Sequence, residues 1–376
     1  NLVVRCDSST ALNPGDRAVV RGKIYPFTAR HGGYGRLMTR RGYVGTLYLN
    51  RSSLLLSDTL HRELSPKHLS LFLHERAVAR LDRLALAPDE QALCNAMTAG
   101  DRRSLSPALR AAYSRSGTSH LLAVSGLHVG IVFLLANLLL WWLPLFRHGH
   151  ILRNIAVILL IWLYAATTGF PPSVVRAALM FSVLQFALAS SSEYVGMNTL
   201  AGVAFVMLLF HPDYLFDISF QLSFIAVAGI IAWGLPLCRL LRTRRKSIDM
   251  LTATLAIGFS ASAATAPLIS HTFGQISVVG LALNPVVILL SYVVVGSCTL
   301  WLVIPGTVLA PLFSVVAGFA ARAQNELIRA AAALPAAALD IRLTTTQCWI
   351  VYGLFIFATL LLWSAERKKS VSSLPE

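Results

Sequence analysis

From His120 onward the chain is a succession of apolar runs, most of them near the length a bilayer demands of a helix. Nine runs are read, near 120–144, 151–168, 173–190, 196–211, 218–238, 250–270, 279–304, 306–322 and 347–364. Charged residues make up 13% of the chain, where soluble domains carry roughly a quarter. A soluble globular fold is excluded on that balance. The fold class is a polytopic α-helical membrane protein with a small N-terminal β-domain. Several runs fall short of the about 20 helical residues that span hydrocarbon. The breaks at Gly169–Pro172 and Asn284-Pro285 therefore read as broken or re-entrant helices. These are tolerated where protein or a wet cavity receives the freed backbone groups.

The polar N-terminal third divides in two. Residues 1–57 alternate strand-like runs (NLVVRC, RAVVRGKIYP, GYVGTLYLN) with turn chemistry at Asn13-Pro14-Gly15-Asp16 and His31-Gly32-Gly33. A small β-barrel, or part of one, fits. Residues 58–116 form an amphipathic helical linker. HLSLFLHERAVARLDRL has helical spacing and suits either the membrane surface or a place on the β-domain. Asp89 and Glu90 mark a helix start and Gly100 a stop; Ser106-Pro107 reads as a cap followed by the first helical residue. The multi-span region covers 117–366, and 367–376 is a cytoplasmic tail.

Net charge is +15, with the basic excess densest in the N-terminal third. Such a surface suits polyanions or anionic lipid head groups. Arg147 and Arg153, the cluster Arg239 to Lys246, and Arg367 to Lys369 fall on one side when spans are counted. The positive-inside rule makes that side cytoplasmic. The N-terminal third then faces outward, against the pull of Arg102, Arg103, Arg110 and Arg115. The cysteines, Cys6, Cys94, Cys238, Cys298 and Cys348, show no CxxC or zinc spacing and read as packing residues. Cys6 can also pair with a residue upstream. The start at Asn1, inside a strand-like run, reads as a truncation, and no signal peptide is visible.

Polar side chains within apolar runs are costly and mark a working interior. His120, Ser125 and His128 punctuate the first run, eight and three residues apart, which is one face of a continuous helix. Three readings stay open. They line an aqueous path, form a Ser/His hydrolytic pair lacking a local acid, or tie helices together. No spacing supports a metal site from His120, His128 and His271, so neither metal nor cofactor is expected. Arg176 follows Pro171-Pro172, where a new helix start beside a guanidinium suits phosphate. The alternative is an ion pair with Asp213 or Asp217. Gln221, His271 and Asn284 complete the candidate channel-lining set.

Four segments carry a resemblance: SGTSHLLAVSGLHVG, GFPPSVVRAALM, HPDYLFDISFQLSFIAVAGI and FGQISVVGLALNPVV. Together they resemble the ComEC family of bacterial competence proteins. AGDRRSLSPALRAAYSRSGTSH looks like that family's approach to its membrane domain. GRLMTRRGYVGTLYL is similar to the region where members carry an OB-type barrel. The resemblance implies a multi-pass channel in the bacterial inner membrane for uptake of single-stranded transforming DNA. It implies an OB-like platform outside, with Arg21, Lys23, Tyr25, Arg40, Arg41 and Tyr43 on nucleic acid by basic grooves and stacking. Phe27, Tyr34, Tyr48, Arg30 and Arg36 belong to the same interleaved stretch. Many members carry a C-terminal metallo-β-lactamase-like nuclease domain. No such motif is present here, so no enzyme activity is expected of this chain. No Walker loop is present either. The implied partners are membrane lipids, a separate cytoplasmic ATPase, DNA-receptor proteins and a second copy of the chain. A small-anion or lipid-precursor transporter, and an intramembrane hydrolase using Ser125 and His128, are the alternatives.

Overall fold

The computed structural model describes residues 2–6, 17–27, 35, 38–39, 43–49, 54–58, 66–189, 196–243, 245–277, 279–304, 308–334 and 338–372. The turns expected at 13–16 and 31–33 lie outside them. Five N-terminal strands are present: β1 (Leu2–Cys6), β2 (Arg17–Val20), β3 (Ile24–Pro26), β4 (Gly45–Leu49) and β5 (Leu54–Asp58). β4 is the centre of a three-stranded sheet, parallel to β1 and antiparallel to β3. Its Leu47 and Leu49 are buried while Tyr48 faces outward, the period-two alternation of a one-sided sheet. β2 and β5 form a separate antiparallel ladder. Among the described residues the two ladders do not close into a barrel.

The rest is helical. α1 (Pro66–Leu81), α2 (Pro88–Thr98) and α3 (Pro107–Arg115) precede the apolar region. All three have proline at the start, where a missing N–H costs nothing. The Ser106 hydroxyl accepts the Leu109 N–H at 3.2 Å, so the expected cap is real. Gly100 takes a left-handed φ of 82° after α2. α1 packs against the helical bundle. Ser70 and His74 bond the carbonyls of Ala166 and Thr167, and Arg80 bonds those of Trp301 and Ile304. Its opposite face leaves Leu69, Leu71 and Phe72 exposed.

There follow α4 (Gly126–Leu139), α5 (Gly149–Thr167), α6 (Pro172–Ala189), α7 (Gly196–Phe210) and α8 (Ile218–Gly229). α8 runs through a π-helical turn, Ile230–Gly234, into α9 (Leu235–Leu240). α10 (Lys246–Phe273), β6 (Ile276–Ser277), α11 (Val279–Val303), α12 (Ala310–Ala332), β7 (Ala338–Leu339) and α13 (Thr345–Ser372) complete the chain. Among the described residues, five helical stretches are long and apolar enough to cross a membrane: Gly126–Leu145, Gly149–Thr167, Ile218–Leu240, Ile248–Phe273 and Ala282–Val303. Pro172–Ala187, Gly196–Phe210 and Thr345–Leu360 are shorter apolar helices. Leu159, Phe205, Leu209, Leu289 and Phe357 stand exposed on them. That is a surface which hydrocarbon accepts and water does not.

The break expected at Gly169–Pro172 is present, as a tight turn between two helices, and two other expectations change. The N–H groups of Gly169 and Phe170 close on the carbonyls of Ala166 and Ala165 at 3.1 and 2.9 Å. This is a Schellman ending with left-handed Gly169, followed by proline at the next helix start. Asn284-Pro285 does not break its helix, because α11 runs through Pro285. The run expected at 306–322 is, from Ala310 on, the first part of α12, an amphipathic helix carrying Arg322, Glu326 and Arg329. α12 packs back along α11, and β7 then pairs with β6 at the start of that hairpin. Leu81, Leu93, Met97 and Leu109 share one core with Val294, Trp301 and Ile328. The helices of residues 66–115 are thus built into the bundle.

Gly117 fixes how α3 hands over to α4. Its φ is 74°, and a Cβ there would lie 2.4 Å from the Ser277 Cβ. Gly117→Ala combines left-handed strain with a clash and is expected to cost about 2 kcal/mol or more. A fall in the detergent-solubilised unfolding midpoint checks this. Near Gly100, Asp101 is buried and accepts both the backbone N–H and the guanidinium of Arg103, at 2.9 and 2.8 Å. The guanidinium holds the Asp101 carboxyl below its ordinary value. A depressed carboxyl pKa stabilises the fold at neutral pH, and that contribution disappears as pH falls through it. Arg103 is exposed, so Asp101→Asn should lower stability at pH 7 by only about 1 kcal/mol. Thermal unfolding against pH should show the gap from wild type closing below about pH 4.

Candidate functional site

The two segments that stand out in sequence meet in space. Ser125 is extended and precedes the first residue of α4. Its backbone N–H donates to His128 Nδ1 at 3.0 Å, and the Ser125 hydroxyl lies 3.0 Å from the same nitrogen. Serine and the third helical residue cap each other, with histidine standing where a glutamate usually does. Because Nδ1 accepts, the ring proton is on Nε2, which is buried with no hydrogen-bond partner.

Across this helix start lies the first turn of α6. The Ser173 hydroxyl donates to the Val124 carbonyl at 2.9 Å, and Gly130 packs on the Phe181 ring. Arg176, one turn on, is 5% exposed. Its guanidinium rests against Gly126, where a Cβ would sit 3.1 Å from Nη2. Phe224 of α8 covers its face, ring centre 5.6 Å from Cζ. The Arg176 Nε and Nη1 have no hydrogen-bond partner. The alternative, an ion pair with Asp213 or Asp217, is not formed among the described residues. Asp213 is exposed, and Asp217 caps α8 through the Ser219 N–H at 2.8 Å. The helix start beside Arg176 is also not the one after Pro171-Pro172, but that of α4.

Of the other candidates, His120 stays near enough to His128 for their charges to interact, and the rest scatter. His120 sits in a short 3-10 turn, Ser119–Leu121, and is exposed. It does not share a helix face with His128, because Ser125 ends any continuity before α4. Gln221 donates to the Leu215 carbonyl at 2.8 Å and so braces its own helix start. The ring Nδ1 of His271 lies 3.0 Å from the Leu343 carbonyl, tying α10 to the approach to α13. Asn284 leaves its side-chain carbonyl buried and unpartnered within α11. No group of three or more metal-ligating side chains exists among the described residues.

On the β-domain, Tyr25 and Tyr48 are half exposed and meet edge to face at 5.8 Å. Lys23 Nζ lies 6.0 Å from the Tyr25 ring centre. Arg21 is exposed, and the Tyr43 N–H bonds the Met38 carbonyl. Arg40 and Arg41 lie outside the described residues, as do Arg30, Tyr34 and Arg36.

Sequence reading missed a charged cleft between α2 and α12. About 380 Å³ in volume, it is lined by Asp89, Glu90, Arg322, Asn325, Glu326 and Arg329. Arg322 pairs with Glu90 at 3.0 Å, and Arg329 pairs with both Asp89 and Glu326. Behind it, the amides of Asn325 and Gln324 share the buried Tyr113 hydroxyl at 3.1 and 3.2 Å. The signal was present in the three-and-four spacing of Arg322, Asn325, Glu326 and Arg329, which puts them on one helix face. The cleft is not lined by His120, Ser125, His128 or Arg176.

A family model described as Competence protein matches residues 97–368, a stretch that contains both motif segments. ComE operon protein 3 of Bacillus subtilis (strain 168) is 32% identical over 204 residues, which cover 53% of this chain and 24% of that protein. An uncharacterised protein of Aquifex aeolicus (strain VF5) is 29% identical over 201 residues, 53% of this chain and 45% of that one. The chain thus spans less than half the length of either relative. No solved structure matches it. The family match extends over well more than half of the sequence, and the chain belongs to the ComEC family of competence proteins.

Proposed function

We propose that this chain forms the membrane-embedded part of a path by which single-stranded DNA enters the cell in natural competence. The competence-family match over residues 97–368 carries the reading. The arginine at the meeting of the two motifs supports it, because its in-plane donors lack acceptors and suit a phosphate. The exposed Lys23, Tyr25 and Tyr48 support a nucleic-acid platform of OB type outside the membrane, since bases stack on aromatic faces beside a cation. His128 and Arg176 are buried, and in this reading they belong to a closed conformation of the path. Transport then requires α8 to withdraw Phe224 from α6. The basic ends around Arg147, Arg239 and Arg245 face the cytoplasm in this reading. Energy and DNA capture come from partner proteins.

The hydrolase reading has one observation in its favour, the 3.0 Å contact of Ser125 with His128. The reciprocal capping bonds give that contact a structural reason, and no acid reaches the opposite ring nitrogen. The two readings part on Ser125→Ala. A lost cap costs about 1 kcal/mol and leaves most transformation intact when the variant complements a deletion strain. A hydrolase would lose its activity outright, together with labelling by a serine-directed probe. For the platform, Tyr25→Ala combined with Tyr48→Ala should weaken oligonucleotide binding about tenfold or more, read by fluorescence anisotropy. Unchanged affinity would remove the platform. Normal transformation in the deletion strain itself would remove the transport reading altogether.

A further inference from the structure

Among the residues whose side chains are described, Arg176 is the one buried arginine or lysine. A buried cation is costly unless paired, and this one joins no ion pair among those residues. Its face is taken by Phe224, but its Nε and Nη1 are not taken by anything. It is held against Gly126, the first residue of a 14-residue helix. The Ser125 hydroxyl takes up the His128 N–H of this first turn, and the N–H groups of Gly126 and Leu127 beside it carry the positive end of the helix dipole. A Cβ at Gly126 would push the guanidinium back by a few tenths of an ångström. His128, on the same turn, adds an Nε2–H that also lacks an acceptor. Every unpartnered group named at this junction is a donor.

We infer that the first turn of α4 and the Arg176 guanidinium form a binding site for one phosphate-type oxyanion. Helix N–H groups and an arginine fork together match such an ion in charge and in geometry. As a contact for DNA phosphodiesters the site rests on the transport reading; as an oxyanion site it stands without it. The unfilled charge also has a consequence of its own. Removing it should not destabilise the empty protein.

The test uses the purified full chain in detergent, followed by thermal unfolding with sodium phosphate against sodium chloride at matched ionic strength. Wild type and Arg329→Gln should be stabilised by phosphate. Arg176→Gln should bind phosphate at least tenfold more weakly, and its unfolding midpoint without phosphate should equal or exceed that of wild type. Gly126→Ala, which crowds the guanidinium, should weaken phosphate binding as well. The inference is overturned if phosphate fails to stabilise wild type, or if Arg176→Gln responds like wild type. A sharply destabilised empty Arg176→Gln protein would also overturn it, as the mark of a structural arginine. Competition separates the sources of the ion. Displacement of phosphate by an oligothymidylate, but not by its uncharged methylphosphonate analogue, supports the site as a DNA contact. Phosphate binding that neither oligomer disturbs upholds the oxyanion site and counts against its use by DNA.

Discussion

Every helix end in an apolar setting leaves backbone groups that water cannot reach, and satisfying them is what organises this bundle. The junction of α4, α5 and α6 does it three ways within a few ångströms. Ser125 and His128 cap one start, the turn at Gly169 closes one end, and Ser173 takes up the Val124 carbonyl between them. The same bonds that settle the backbone bring both family motifs side by side. Arg176 is the residue that this settlement leaves over.

The bundle has a second polar seam with the opposite logic. Between α2 and α12, acids and arginines are matched, and the amides behind them share the Tyr113 hydroxyl. Paired charges of this kind hold helices in register and cancel one another's field. The contrast with Arg176 is chemical. One seam sets two arginines among three acids, while the other presents donors with no acceptor.

Local chemistry was legible in the sequence. The Ser106 cap, the acidic start at Asp89 and Glu90, and the Gly100 stop all follow from rules that act within one turn of backbone. Hydropathy also found the apolar helices, because burial in lipid demands a long run of similar residues. It failed where a helix needs only one apolar face, as in α12, whose first half reads as a span and whose second half carries Arg322 and Arg329. Prolines were an uneven guide: Pro285 lies inside an unbroken helix, while Pro171 and Pro172 follow a completed turn. His120 and His128 looked like one face because periodicity cannot see a cap that restarts the helix between them. The approach of Arg176 to Gly126 joins positions 50 apart, and nothing local in either segment announces it.

The π-helical turn at Ile230–Gly234 has a geometric consequence for the outer wall of the bundle. A wider turn accommodates one surplus residue, and one residue is worth about 100° of rotation about the axis. Everything beyond it is therefore dialled around relative to the start of α8. Within the turn itself Trp233 reaches α13, donating to the Thr359 hydroxyl at 2.8 Å and meeting Phe355 edge-on at 4.8 Å. The final helix is latched to its neighbour by a surplus of one residue in the winding, and trimming that residue would swing the indole away from its catch.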